Sequence, residues 1–122
     1  METNRDITAK EILQAALEKI RAPSRWTQRT FARSVSGRSV DFASKAACCW
    51  CALGAVYSVG GPVEKAIQAE DALKMYCDRA MRTSVARYND AIGTTHADVL
   101  ALFEATIAGH KETAPCDSFK PS

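Results

Sequence analysis

Three cysteines crowd into four positions, Cys48, Cys49 and Cys51, and their thiols are the first candidates for chemistry in this chain. Zinc sites usually combine one cysteine pair with a second Cys or His pair, and no second pair stands at the usual spacing. A nucleophilic thiol needs a pKa lowered by a helix N-terminus or a nearby base. The cysteines lie in an uncharged run, residues 46–57, where Cys behaves as a small hydrophobic residue. We therefore expect free cysteines in the core and neither a metal nor another cofactor.

A second cluster places an amide, a carboxylate and an imidazole close together in sequence, at Asn89, Asp90 and His96. A neutral His96 could act as a base, which keeps a small hydrolase or transferase as one alternative function. The same residue types also close turns and cap helices, because Asn tolerates left-handed backbone and Asp accepts hydrogen bonds from backbone N–H groups. We favour this structural role and therefore expect that the protein is not an enzyme.

Positive charge is concentrated in residues 21–45, which contain six cations and one anion, a net charge of +5, whereas the whole chain carries +2. The candidate binding residues of this segment are Trp26, Arg29, Arg33 and Arg38. Cations with interleaved aromatic rings are the ingredients of nucleic-acid binding, which is a second alternative function. No helix-turn-helix, zinc-finger or ribonucleoprotein motif accompanies them, so we favour a protein partner over a nucleic acid.

Length and composition predict a single domain. The chain has 122 residues, of which 47% are hydrophobic and 25% charged, as in ordinary globular domains. We expect a helical domain at residues 8–111 between flexible ends at 1–7 and 112–122, where the sequence is polar or contains proline. The N-terminus is polar, and no apolar run reaches the roughly 20 residues that cross a bilayer. The sequence therefore predicts a soluble cytoplasmic protein that does not bind membranes.

The apolar run at 46–57 predicts a central helix from about Ala43 to Ser58, buried on most of its surface. Gly60 and Gly61 would end it, because glycine supplies the left-handed geometry of a helix C-terminus. Three further helices are predicted over residues 9–21, 62–83 and 95–108. The fold class is thus mostly α, a four-helix arrangement around a buried central helix.

The ends and faces of these helices have their own signals. Thr8 and Glu11 fit a capping box at the first helix, and Thr94 or Thr95 is expected to cap the last one. The helix at 62–83 is predicted to turn one broad apolar face inward, formed by Val63, Ala66, Ile67, Leu73, Tyr76, Cys77, Ala80 and Met81. Residues 88–93 are interpreted as the connector between the last two helices.

Residues 25–42 admit two interpretations. Arginines recur every fourth position from Arg21 to Arg33, which would align them on a helix, but Pro23 interrupts any continuous helix. The alternative is a β-hairpin, because Gly37 stands between two segments rich in β-favouring residues. We favour the small hairpin, which must lie on helices because two strands alone are marginally stable.

Several of these blocks, taken in order, resemble a family of small bacterial and phage proteins described as a domain of unknown function. The blocks are Trp26-Thr27-Gln28, Phe31-Ala32-Arg33, Gly37, Trp50-Cys51-Ala52-Leu53-Gly54-Ala55, Asn89-Asp90, Thr94-Thr95-His96 and Val99-Leu100-Ala101-Leu102-Phe103. The resemblance extends from about Ile12 to Ile107. It implies the fold and a bacterial or phage origin, and no catalytic residues. One departure is that residues 34–36 lack the acidic residue expected after Phe-Ala-Arg.

Together these patterns predict a small accessory or regulatory module that binds a protein partner and has no enzymatic activity. The residues expected to bind it are Trp26, Arg29, Arg33, Arg38, Asn89, Asp90 and His96. The alternatives are nucleic-acid binding through residues 21–45 and a hydrolase or transferase built on residues 89–96.

Overall fold

The computed structural model describes residues 7–110, which form five α-helices and a small three-stranded sheet. The helices are α1 (Ala9–Lys19), α2 (Ala52–Ser58), α3 (Val63–Tyr76), α4 (Val85–Asp90) and α5 (His96–Gly109), and the strands are β1 (Ala32–Arg33), β2 (Ser39–Val40) and β3 (Cys49–Trp50). The prediction of a mostly α fold with a small hairpin is confirmed. Of the predicted flexible ends, residues 1–6 and 112–122 lie outside the described residues, whereas Ile7 packs against the core.

Helix α1 begins as the sequence predicts and carries a fully apolar face. The Thr8 hydroxyl accepts a hydrogen bond from the Glu11 N–H at 3.0 Å, and the Glu11 carboxylate accepts one from the Thr8 N–H at 2.9 Å, which completes the capping box. Ile12, Leu13 and Ala16 are fully buried. Through this face α1 packs against α2, α3 and α5, so it organises the helical layer.

The predicted central helix over Ala43–Ser58 is wrong in its N-terminal part. Cys49 and Trp50 form β3, and the helix begins only at Ala52 and has 7 residues. The backbone of residues 48–51 is hydrogen-bonded to the hairpin instead of forming a helical turn. The Cys48 N–H donates to the Arg33 carbonyl at 2.8 Å, and the Cys51 N–H donates to the Phe31 carbonyl at 3.1 Å. A short apolar run suits a buried strand as well as a buried helix, so its composition alone could not decide. Within residues 7–110 the structure has five α-helices, of 6 to 14 residues, where the sequence predicts four.

The hairpin interpretation of residues 25–42 is confirmed and the helical one is wrong. Strands β1 and β2 pair antiparallel, with Ala32 opposite Val40, and Gly37 adopts φ 88° in the turn between them. Strand β3 pairs with the other edge of β1, giving the order β2-β1-β3. The sheet lies on α2 through an unusually close approach, because a Cβ on Gly54 would stand 2.1 Å from the Phe31 carbonyl oxygen.

The predicted helix at 62–83 consists of α3 and a π-helical turn, Cys77–Met81, which ends at Arg82 with φ 59°. Its inward face is narrower than predicted, because Val63 and Ile67 are 64% and 46% exposed, whereas Ala66, Leu73 and Cys77 of the predicted face are buried. The buried positions are spaced three or four residues apart on one narrow stripe, namely Ala66, Ala69, Leu73 and Cys77.

The connector predicted at residues 88–93 is partly wrong, because Tyr88, Asn89 and Asp90 form the last turn of α4. Ser84 caps this short helix, and its hydroxyl accepts from the Arg87 N–H at 3.1 Å. Thr95 caps α5 in a second capping box, with Asp98 as the reciprocal acceptor. Among the described helices, none is both long and apolar enough to cross a membrane.

Candidate functional site

Asn89 joins three separate segments of the chain at a buried point. Its side-chain oxygen accepts hydrogen bonds from the Trp26 indole N–H at 2.8 Å and from the Ala52 backbone N–H at 3.0 Å. Its amide nitrogen donates to the Thr27 carbonyl at 3.2 Å and to Asp90 Oδ1 at 3.0 Å. All four hydrogen-bonding positions of the amide are used, and Asn89 is 1% exposed. We call this group of four partners and Asn89 the Asn89 clasp; it holds the segment before the hairpin, α2 and α4 together.

The residues after Trp26 continue along the C-terminal end of α4. The Gln28 amide donates to the carbonyls of Asn89 at 2.8 Å and Ala91 at 3.2 Å, which satisfies carbonyl groups that a helix end leaves free. The Arg29 backbone N–H donates to Asp90 Oδ1 at 2.7 Å, and Arg29 itself adopts the left-handed conformation with φ 70°. The Asp90 carboxylate thus holds Arg29 in a conformation that non-glycine residues seldom adopt.

His96 lies on the other side of Trp26. Its Nε2 stands 2.7 Å from the Ile20 carbonyl oxygen, and because a carbonyl can only accept, this nitrogen carries the hydrogen. The His96 and Trp26 rings are 5.9 Å apart. The imidazole therefore links the end of α1 to the start of α5. Asn89 and His96 thus both contact the Trp26 indole. The Asn89 amide and the Nε2 of His96 are hydrogen-bonded to other parts of the fold.

The predicted arginines differ sharply in their surroundings. Arg33 donates through Nε to the Thr27 hydroxyl at 2.9 Å and through its other nitrogens to the carbonyls of Gly37 at 3.0 Å and Gln28 at 3.1 Å. It therefore braces the loop before the hairpin. The guanidinium groups of Arg29 and Arg38 are exposed, and neither forms a hydrogen bond or an ion pair within residues 7–110.

A cleft of about 290 Å³ opens beside the clasp, between the hairpin, α2 and α4. Its wall is mainly apolar, and Arg29, Asp90 and Cys51 are among its polar residues. The lining residues are Arg29, Thr30, Phe31, Cys51, Leu53, Val85, Ala86, Asn89 and Asp90. We call it the Asp90 cleft. His96, Arg33 and Arg38 do not line it.

The apolar wall of this cleft, formed by Phe31, Leu53, Val85 and Ala86, is not predicted by the sequence patterns, because it exists only where α4 meets the hairpin. Ser84 is the one signal for this wall, because serine is a good N-cap residue and predicts a helix that starts at Val85. That helix, α4, supplies Val85 and Ala86 to the wall.

Three cysteine thiols, one of them in the cleft, have raised pKa values, which favours their protonated form. Burial raises the pKa of the Cys51 thiol, whose sulfur accepts the Gly54 N–H at 3.3 Å. Burial likewise raises the pKa of Cys49 and of Cys77, and all three are free thiols. A raised pKa opposes the thiolate that nucleophilic attack requires. Within residues 7–110 no group of three or more His, Cys, Asp or Glu side chains is arranged to hold a metal ion.

Comparison with known proteins relates the whole described fold to one family. No curated protein and no solved structure gives a significant match to this chain. The model of the DUF6197 family, described as a family of unknown function, matches residues 4–109. The matched range includes the Asn89 clasp and every residue of the Asp90 cleft, and it confirms the resemblance to a domain of unknown function. The chain therefore belongs to the DUF6197 family.

Proposed function

We propose that this protein is a non-enzymatic accessory or regulatory module that binds a protein partner at the Asp90 cleft. The observation that carries the proposal is Arg29. Arg29 lines an apolar cleft, its guanidinium has no partner within residues 7–110, and Asp90 stabilises its left-handed backbone (φ 70°). That conformation costs an ordinary residue about 1–2 kcal/mol, and strain of this kind is concentrated at functional positions.

Large apolar side chains are exposed around the same place. Phe31, which lines the cleft, is 52% exposed, and Ile92 is 91% exposed. Ile92 follows Ala91, whose carbonyl accepts from Gln28, so it flanks the segment that carries Arg29. Exposed apolar groups beside an unpaired arginine are typical of protein interfaces, where arginine and aromatic residues supply much of the binding energy.

The geometry supports two different roles for the predicted binding residues. Arg29 and Asp90 remain candidates for direct contact, since both line the cleft, and the exposed Arg38 remains one on the neighbouring hairpin. The polar atoms of Trp26, Arg33, Asn89 and His96 are engaged within the fold, which favours a role in positioning the cleft. That set is held by the bonds described above.

The test is quantitative affinity capture of partners from host lysate with the native chain and two charge reversals. Arg29→Glu should lower recovery of a stoichiometric partner at least tenfold, because it places a carboxylate at the cleft. Arg79→Glu is the matched control, since Arg79 is also exposed but lines a different groove, beside the end of α5. Equal recovery by the two variants, with both folded by circular dichroism, would refute the assignment of the partner site.

Nucleic-acid binding is the second candidate function, and a specific observation favours it. Arg25, Arg38 and Lys45 are exposed, and within residues 7–110 none of them forms an ion pair. Binding through these cations should weaken steeply with salt, with a slope of about one logarithmic unit per phosphate contacted. Affinity for labelled RNA and DNA is therefore measured across a salt series, and a flat response would reject this candidate.

A hydrolase or transferase built on residues 89–96 receives less support. The Asn89 amide is fully bonded, and the Nε2 of His96 is held by Ile20 outside the cleft. We also keep a bacterial or phage origin and a reducing cytoplasm as proposals. The burial of Cys49 and Cys77 as free thiols supports the second of these.

A further inference from the structure

The Asp90 cleft combines three recognition elements. The first is the apolar wall formed by Phe31, Leu53 and Val85. The second is Asp90 Oδ2. Asp90 Oδ1 already accepts the Arg29 N–H at 2.7 Å and the Asn89 amide at 3.0 Å, while Oδ2 has no donor within residues 7–110. The third is the guanidinium of Arg29, which pairs with no group in the part of the chain that the structure describes.

These elements call for a ligand with matching groups. The apolar wall suits an aliphatic or aromatic side chain, Asp90 Oδ2 suits an N–H donor, and Arg29 suits a carboxylate, which arginine can bind through two parallel hydrogen bonds. The Arg29 N–H is bonded to Asp90, so the two residues belong to one site, and we match them with a donor and a carboxylate that are close neighbours in the ligand. Within a single residue of a polypeptide, an apolar side chain, an N–H and a carboxylate occur together only at the C-terminus.

The size of the cleft agrees with so small a ligand. Its volume of about 290 Å³ lies at the lower end of ligand sites, which span about 300–1,000 Å³. One anchoring side chain fits such a space, whereas a large cofactor does not. Capture of a C-terminal carboxylate is a recurring mode of peptide recognition, so the chemistry has ample precedent in other folds.

We infer that the Asp90 cleft binds the C-terminal residue of its partner, with an apolar side chain in the cleft and the terminal carboxylate on Arg29. The inference rests on the proposed function, since it specifies which part of a protein partner enters the site. It also predicts a preference: peptides ending in Leu or Phe bind, and the same peptides with an amidated end bind much more weakly.

The test uses acetyl-Gly-Gly-Leu as the free acid and as the C-terminal amide, titrated into the 15N-labelled full chain. The free acid should shift the amide signals of Phe31, Leu53 and Asp90, and the amide should bind about tenfold more weakly, because the charge-assisted contact is lost. Arg29→Gln should abolish the difference between acid and amide. Arg79→Gln should preserve it.

A second variant tests whether the signal shifts come from binding in the cleft itself. Ala86 is exposed and lines the cleft, so Ala86→Trp should fill the site without disturbing the core and should eliminate the shifts. The inference is overturned if the amide binds as well as the acid, if free leucine binds as strongly as the acetylated peptide, or if neither peptide shifts the folded protein. In any of these cases, loss of partner capture in Arg29→Glu would still support the broader proposal, whereas unchanged capture would refute that proposal separately.

Discussion

At the scale of single residues, the polar side chains that stand out in the sequence serve mainly to join distant segments. Trp26 and Asn89 are 63 positions apart in the chain and meet in one hydrogen bond. Local patterns reveal that such residues matter, but they cannot reveal partners so far away. Of the predicted candidates, Arg29, Asn89 and Asp90 line the cleft, and the Trp26 indole is bonded to Asn89.

Replacement of Asn89 by alanine tests this joining role. Asn89→Ala removes the acceptor of the Trp26 indole and of the buried Ala52 N–H, and it should cost about 2–4 kcal/mol of unfolding free energy because two donors lose their partner. Urea unfolding measures the effect, with the exposed Gln68→Ala on α3 as control. A loss below about 0.5 kcal/mol, as expected for an ordinary surface change, would contradict the joining role.

At the scale of elements, signals that act over three or four residues were read correctly. Thr8 and Glu11 correctly predict the start of α1, and Gly37 correctly predicts the hairpin turn. Strand β3 was missed because a short apolar run such as 46–57 does not distinguish a buried strand from a buried helix. Helix α4 was not predicted because it is only 6 residues long. The wall of the Asp90 cleft was therefore not predicted either, since α4 forms part of it.

The contact between α2 and the hairpin makes a second prediction. Gly54→Ala would place a methyl group 2.1 Å from the Phe31 carbonyl, so the sheet must move away from α2. We expect a loss of about 1–3 kcal/mol, the range for overpacked sites, measured by thermal or urea unfolding. Gly109→Ala is the matched control, because a Cβ there meets no atom within 4 Å. Equal unfolding free energies for the two variants would contradict this prediction, because they would show that the close approach of Gly54 to Phe31 does not affect stability.

At the scale of the whole molecule, stability and recognition rest on different parts. The helices pack around the buried face of α1, whereas the cleft is built where residues 26–31 are fastened to α4. Arg29 contributes only its backbone to that fastening, and its side chain is exposed. Substitutions of the Arg29 side chain should therefore change binding while the midpoint of unfolding stays nearly constant. Because an Arg29 variant should stay folded, its effect on partner binding can be tested in the cell.

That test is photocrosslinking in the native host, with p-benzoylphenylalanine placed at Phe31 and, as control, at Met75 on α3. The two positions are matched in exposure, at 52% and 53%, but only Phe31 lines the Asp90 cleft. We expect Phe31 to give a discrete crosslinked protein that Met75 does not give and that Arg29→Glu removes. The same products from both positions, or none from Phe31, would contradict a protein partner at the cleft.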